Sequence, residues 1–167
     1  MKSKSHSTAF FGLCCALALV LAYVEVLMQP LFPALPGIKM GLPNVIIIFL
    51  LYRRGAVSAA GVSLLRILLA GLLFGNAMSL AYSLTGGILS LAVMVVLKKL
   101  GFMSEIGVSV AGGVVHNAGQ ILMAMLLLET AELGYYLIVL IVTGTVAGLF
   151  VGILGAILNK RLPQKLL

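Results

Sequence analysis

The chain contains no aspartate, and its acidic residues amount to four glutamates in 167 positions. Without aspartate there is no aspartate-rich magnesium site of the kind that prenyl transfer from diphosphates requires, and no Walker loop for ATP is present. Cysteine is nearly absent as well. Cys14 and Cys15 are neighbours, which point about 100° apart on a helix, so they read as small hydrophobes and not as a disulfide or half of a metal site. His116 has no second histidine or cysteine at ligand spacing, which argues against a bound metal. No nucleophile, base and orienting acid are grouped, so the sequence predicts a protein that is not itself an enzyme. Charge is the scarcest commodity, with 9% charged residues against 62% hydrophobic ones and a mean hydropathy of +1.24. So little polar surface cannot coat a soluble globule.

What is there reads as an all-α integral membrane protein. A hydrocarbon core of about 30 Å needs about 20 apolar residues per helix, which leaves room for five or six spans and no soluble catalytic domain. Hydropathy predicts a single transmembrane domain over 1–167, a bundle of six helices at about 9–28, 41–52, 55–74, 77–97, 107–128 and 135–158. The second run would rise only about 18 Å, so it starts earlier, near Pro36, or is shielded by its neighbours. The first run continues unbroken and is followed by further spans, the pattern of a retained helix and not of a cleaved signal peptide. Lys2, Lys4, Arg53, Arg54, Lys98, Lys99, Lys160, Arg161 and Lys165 all fall on one side of this arrangement. The positive-inside rule therefore places both termini in the cytoplasm. Topology explains the net charge of +7, and the short separated pairs give no reason to invoke nucleic acid.

Small residues predict where helices meet. Gly144, Gly148 and Gly152 recur every four residues in the sixth span, and Ser79, Ser83, Gly86, Gly87 and Ser90 form a small, polar stripe in the fourth, both read as packing surfaces. In the first span the pair Ala18 and Ala22 could face outward and dock a partner helix.

Polar groups inside the membrane are the candidate site. Arg66 sits midway along its run, and burying a guanidinium there costs roughly 2.5 to 3.5 kcal/mol, so it must face a ligand or a partner such as Glu25. In the fifth span His116 and Gln120 share a face at i, i+4, and Asn117 widens it. Either these groups fix the bundle by interhelical hydrogen bonds, or with Arg66 they recognise a ligand carrying phosphate, carboxylate or carbonyl oxygens. The loop 29–44 holds four of the five prolines. It is expected to form a rigid lid holding Lys39 near the outer mouth of the bundle.

The stretch Pro36-Gly37-Ile38-Lys39-Met40-Gly41-Leu42-Pro43-Asn44, the arginine of Leu65-Arg66-Ile67, Thr85-Gly86-Gly87, and Gly112-Gly113-Val114-Val115-His116-Asn117-Ala118-Gly119-Gln120 resemble the Gx transporter family. Members of that family are commonly labelled heptaprenyl diphosphate synthase component I. The resemblance spans nearly the whole chain, with Met40 and Pro43 standing where the family typically has leucine or alanine. Six short spans, cytoplasmic termini and the helix-one alanines are also similar to the substrate-binding subunits of energy-coupling-factor importers. That likeness implies a multi-pass protein of the bacterial cytoplasmic membrane that captures a vitamin-like or isoprenoid or quinone-precursor molecule from outside. It further implies docking through Ala18 and Ala22 on a transmembrane coupling subunit energised by two cytoplasmic ATPases, with ATP used by those partners and no cofactor bound by this chain. The expected pocket comprises Lys39, Asn44, Arg66, His116, Asn117 and Gln120. The label leaves a second reading, a non-catalytic membrane accessory of heptaprenyl diphosphate or quinone synthesis.

Overall fold

Long apolar runs uninterrupted by proline become helices, and the boundaries fall where local chemistry stops them. The computed structural model describes residues 2–28 and 41–162, with side chains from residue 7 onward. Its elements are α1 (Lys2–Met28), α2 (Asn44–Arg53), α3 (Ala56–Phe74), α4 (Ala77–Leu100), α5 (Glu105–Leu128) and α6 (Leu137–Arg161), with a 3-10 turn at Ala131–Tyr136 before the last. No described residue forms a strand. Asn76 caps α4 by accepting from the Ser79 N–H at 2.8 Å, and Ser104 caps α5 through the Gly107 N–H at 3.2 Å. Gly101 ends α4 in the left-handed region at φ 72°, where a glycine carries no side-chain penalty.

The helices close a ring in the order α1, α2, α6, α5, α4, α3 and back to α1. Apart from α2, each is long and apolar enough to cross a bilayer, the last counted together with its 3-10 turn. The chain is a multi-pass helical membrane protein.

Helix α2 is different. It has ten residues, rising about 15 Å, and is buried on every side from Val45 through Leu51. A helix apolar all round belongs inside protein, and α2 packs on α1, α3, α5 and α6. The bundle of six helices stands, five of them long and apolar enough to cross and α2 the short one, shielded by its neighbours as the second of the two alternatives for that run expected. That helix begins at Asn44, not near Pro36, because Pro43 occupies its N-cap.

Close backbone approach holds α4, α5 and α6 together. A Cβ on Gly148 would lie 2.7 Å from Val110 Cα, and one on Gly113 would lie 2.5 Å from the Gly144 oxygen. The glycine repeat of the sixth span is therefore a packing surface. The serine and glycine stripe of α4 packs too, with Gly86 against the His116 backbone and Ser90 Oγ donating to the Gly112 oxygen at 2.8 Å.

The basic pairs gather at one end of the bundle and staple it. Arg53 donates to Asn159 Oδ1 at 3.2 Å, to the Asn159 carbonyl and to the Leu162 carbonyl at 2.6 Å. Asn159 in turn donates to Glu105. Lys98 donates to the Leu51 carbonyl at 2.5 Å, satisfying the C-terminus of α2, and lies over the Tyr52 ring. Arg54 turns the other way, its guanidinium 5.3 Å from the Phe10 ring.

One further correction concerns α1. Ala18 is wholly buried and Ala22 is 6% exposed, so the pair faces the bundle and not a partner. The reason is Glu25, 7% exposed. A carboxylate at that depth turns inward, and Ala22 and Ala18 lie three and seven residues before it on the same helix face.

Candidate functional site

At the end of the bundle away from the basic pairs, α1, α2, α3, α4 and α5 enclose a cavity of about 90 Å³. Its polar lining is Glu25, Asn44, Arg66, Ser79, Ser83 and His116, one or two groups from each helix. Apolar stretches of α1 and α3 supply the rest, among them Ile67, Gly71 and Phe74.

Arg66 is the centre of the arrangement. It is 8% exposed, and its Nη2 donates to Asn44 Oδ1 at 3.3 Å, long for a charge-assisted bond. Its Nε is buried with no hydrogen-bond partner among the described residues. Glu25 interacts with it electrostatically and itself accepts from the Gly41 backbone N–H. That contact ties the approach to α2 onto α1, and Gly41 meets it at φ 71° with Asn44 Nδ2 only 3.1 Å from where a Cβ would stand. The positive φ favours glycine there, and a Cβ would also press on the Asn44 amide.

His116 reaches the cavity because Gly86 has no side chain. A Cβ on Gly86 would lie 3.2 Å from His116 Nδ1 and 2.9 Å from Gln120 Cγ. His116 also lines a second, smaller pocket of about 20 Å³ together with Asn44, Ser90, Ser109 and Asn117. That volume holds roughly one water, so the polar lining continues from the cavity toward the centre of the bundle.

The sequence-predicted residues divide. Asn44, Arg66 and His116 meet in the larger cavity, with Glu25 beside them. Asn117 donates to the Leu140 carbonyl at 2.9 Å, which ties α5 to α6, and lines the smaller pocket. Gln120 is buried in the α4–α5 contact against Gly86 and lines neither. Lys39 and most of the proline loop lie outside the described residues. Ser79 and Ser83 line the cavity although the sequence marked them only as packing. Their signal was there, two hydroxyls one helical turn apart at the same end of the bundle as Glu25.

Chemically the cavity offers donors from Arg66, hydroxyls from α4, a mixed donor and acceptor in His116, the Asn44 amide, and the Glu25 carboxylate that faces the Arg66 charge. This is a set for recognising oxygen-rich groups. Among the described residues no three His, Cys, Asp or Glu side chains gather in a way that would hold a metal ion.

A family model described as heptaprenyl diphosphate synthase component I matches residues 14–158, an interval that contains every lining residue of the cavity. No curated protein and no solved structure matches the chain.

Proposed function

The chain belongs to the heptaprenyl diphosphate synthase component I family, and from that membership together with the enclosed polar cavity we propose that it is a non-catalytic membrane subunit that binds a small ligand through an anionic or carbonyl oxygen. The observation that carries this reading is Arg66, a buried guanidinium lining the cavity with its Nε unpartnered. A buried donor left unmade costs about 1–3 kcal/mol, more when charged, and an oxygen ligand recovers it.

On this reading the protein is the substrate-binding subunit of an energy-coupling-factor type importer in the bacterial cytoplasmic membrane. Its cavity opens outward, opposite the basic pairs. A transmembrane coupling subunit and two cytoplasmic ATPases supply the energy, and ATP is theirs to hydrolyse. Ligand pockets for drug-sized molecules run to about 300–1,000 Å³, so a cavity of about 90 Å³ takes the polar head of a substrate and not the whole of it.

The family's description favours one other reading, a membrane accessory of a soluble prenyl diphosphate synthase. Affinity purification of the full chain in mild detergent, with identification of what accompanies it, separates the two. Recovery of an ATPase pair with a membrane coupling protein supports the importer. Recovery of a soluble prenyl synthase in its place overturns it.

A further inference from the structure

Besides the polar cavity the described residues form an apolar groove of about 440 Å³ between α3 and α4, on the half of the bundle nearer the basic pairs. Ala56, Ala60, Gly87 and Ala92 leave it deep, and Leu91 and Val95 contribute to its walls. From Ala56 to Ile67 it follows about 16 Å of helix. The groove and the polar cavity share one lining residue, Ile67. That side chain is 2% exposed and follows Arg66 directly in sequence. It seats across the boundary because Gly87 has no Cβ, which would stand 2.6 Å from Ile67 Cδ1.

Resting on the reading of the Arg66 cavity as a head-group site, we propose that the groove holds the hydrocarbon chain of a single-chain amphiphile whose anionic head lies at Arg66, with Ile67 as the partition that swings aside to admit it. Two observations support this. The cavity is too small for more than a head, so the rest of the ligand must leave it. Ile67, with its Cδ1 end over Gly87, is the one described residue that lines both spaces. The proposed orientation also differs from that of a bilayer lipid. A phospholipid in the leaflet beside the groove would place its head at the basic end and its tail toward mid-membrane. The proposed ligand runs the opposite way, with its tail toward the basic end and its head at a depth where only a buried cation makes an anion tolerable.

The test uses the full chain in lipid nanodiscs and hexadecyl phosphate carrying a diazirine near its chain terminus. Irradiation should label α3 and α4 at groove residues, and excess methyl phosphate, which carries the head alone, should suppress that labelling in the unmodified protein at least tenfold. Arg66→Gln should lower groove labelling by a similar factor. Ala92→Phe, at an exposed position on the groove wall, should also lower it while leaving head binding intact. Head binding is read separately, as protection by methyl phosphate of a cysteine at Ser79→Cys from thiol reagents. Groove labelling indifferent to methyl phosphate and to Arg66→Gln would mean that the groove merely holds bulk lipid, and the inference falls. Protection at position 79 without any groove labelling would overturn the chain site and leave the head site standing. Absence of both would overturn the two together.

Discussion

Arg66 has two neighbours that assign it different work, Asn44 inside the cavity and Glu25 across it. As an oxygen-binding fork it should be irreplaceable by lysine, since the ammonium keeps the charge but loses the planar pair of donors. Arg66→Lys is therefore expected to weaken methyl phosphate binding about tenfold or more while shifting the unfolding midpoint little. If the guanidinium serves only to neutralise Glu25, the outcome reverses. Arg66→Gln and Glu25→Gln would each destabilise the bundle, the pair together would largely restore it, and the double-mutant cycle in detergent would give a coupling of about 1–3 kcal/mol with no effect on ligand. Glycines show the same dependence on surroundings. Gly148→Ala drives a methyl into Val110 backbone at 2.7 Å, whereas a Cβ on Gly61 meets nothing within 4 Å. The first should cost about 1–3 kcal/mol of stability by overpacking, and Gly61→Ala should be neutral or stabilise by up to about 1 kcal/mol. Equal melts for the two variants would contradict the close α5–α6 contact.

Among the elements, α2 is the one the bundle is built around. It is too short to reach both faces, so its last carbonyls must be satisfied by neighbours, and Lys98, one of the basic residues that orient the protein, does this at Leu51. Arg53→Met combined with Asn159→Leu should show a coupling of about 1–2 kcal/mol in thermal unfolding, because the single changes strand a charged donor or a half-buried amide. Additive losses would show that the contact contributes nothing. Helix existence and the glycine repeats were legible in the sequence because apolar length and four-residue spacing depend only on local order. The status of α2 was half legible. Its shortness was visible, but burial on every face is a property of its neighbours. The orientation of α1 was misread although the information was present, since Glu25 fixes the inward face and Ala18 and Ala22 share it. Ala18→Trp should therefore unfold the subunit and not merely block association. Gly12 and Ala16, four apart and exposed, are where docking through α1 would have to occur. Under the importer reading, Gly12→Leu with Ala16→Leu should lower recovery of the coupling partner while the fold survives, and unchanged recovery would remove α1 from the interface. The site was legible as a set of residue types but not as a set of neighbours. Asn117 and Gln120 lie within a turn of His116, and only the packing of α6 and Gly86 decides which of the three reaches the cavity.

At the scale of the whole molecule, charge and cavity lie at opposite ends. Arg53, Arg54, Lys98, Lys99, Lys160 and Arg161 terminate α2, α4 and α6 on one side, and the Arg66 cavity lies among the other ends of α1 to α4. Cationic loops are retained in the cytoplasm, so this separation predicts a cavity facing outward, as capture of an external ligand demands. Single cysteines read this directly, because the native thiols Cys14 and Cys15 are 4% and 8% exposed and give little background. Lys99 and Glu132 are both exposed, one in the last turn of α4 at the basic end and one in the 3-10 turn at the opposite end. In intact cells an impermeant maleimide should label Glu132→Cys and leave Lys99→Cys untouched until the membrane is opened. The reverse pattern would turn the cavity toward the cytoplasm. A binding subunit for import could not then be maintained, whereas an accessory that presents a cavity to a soluble cytoplasmic synthase would have the orientation it needs.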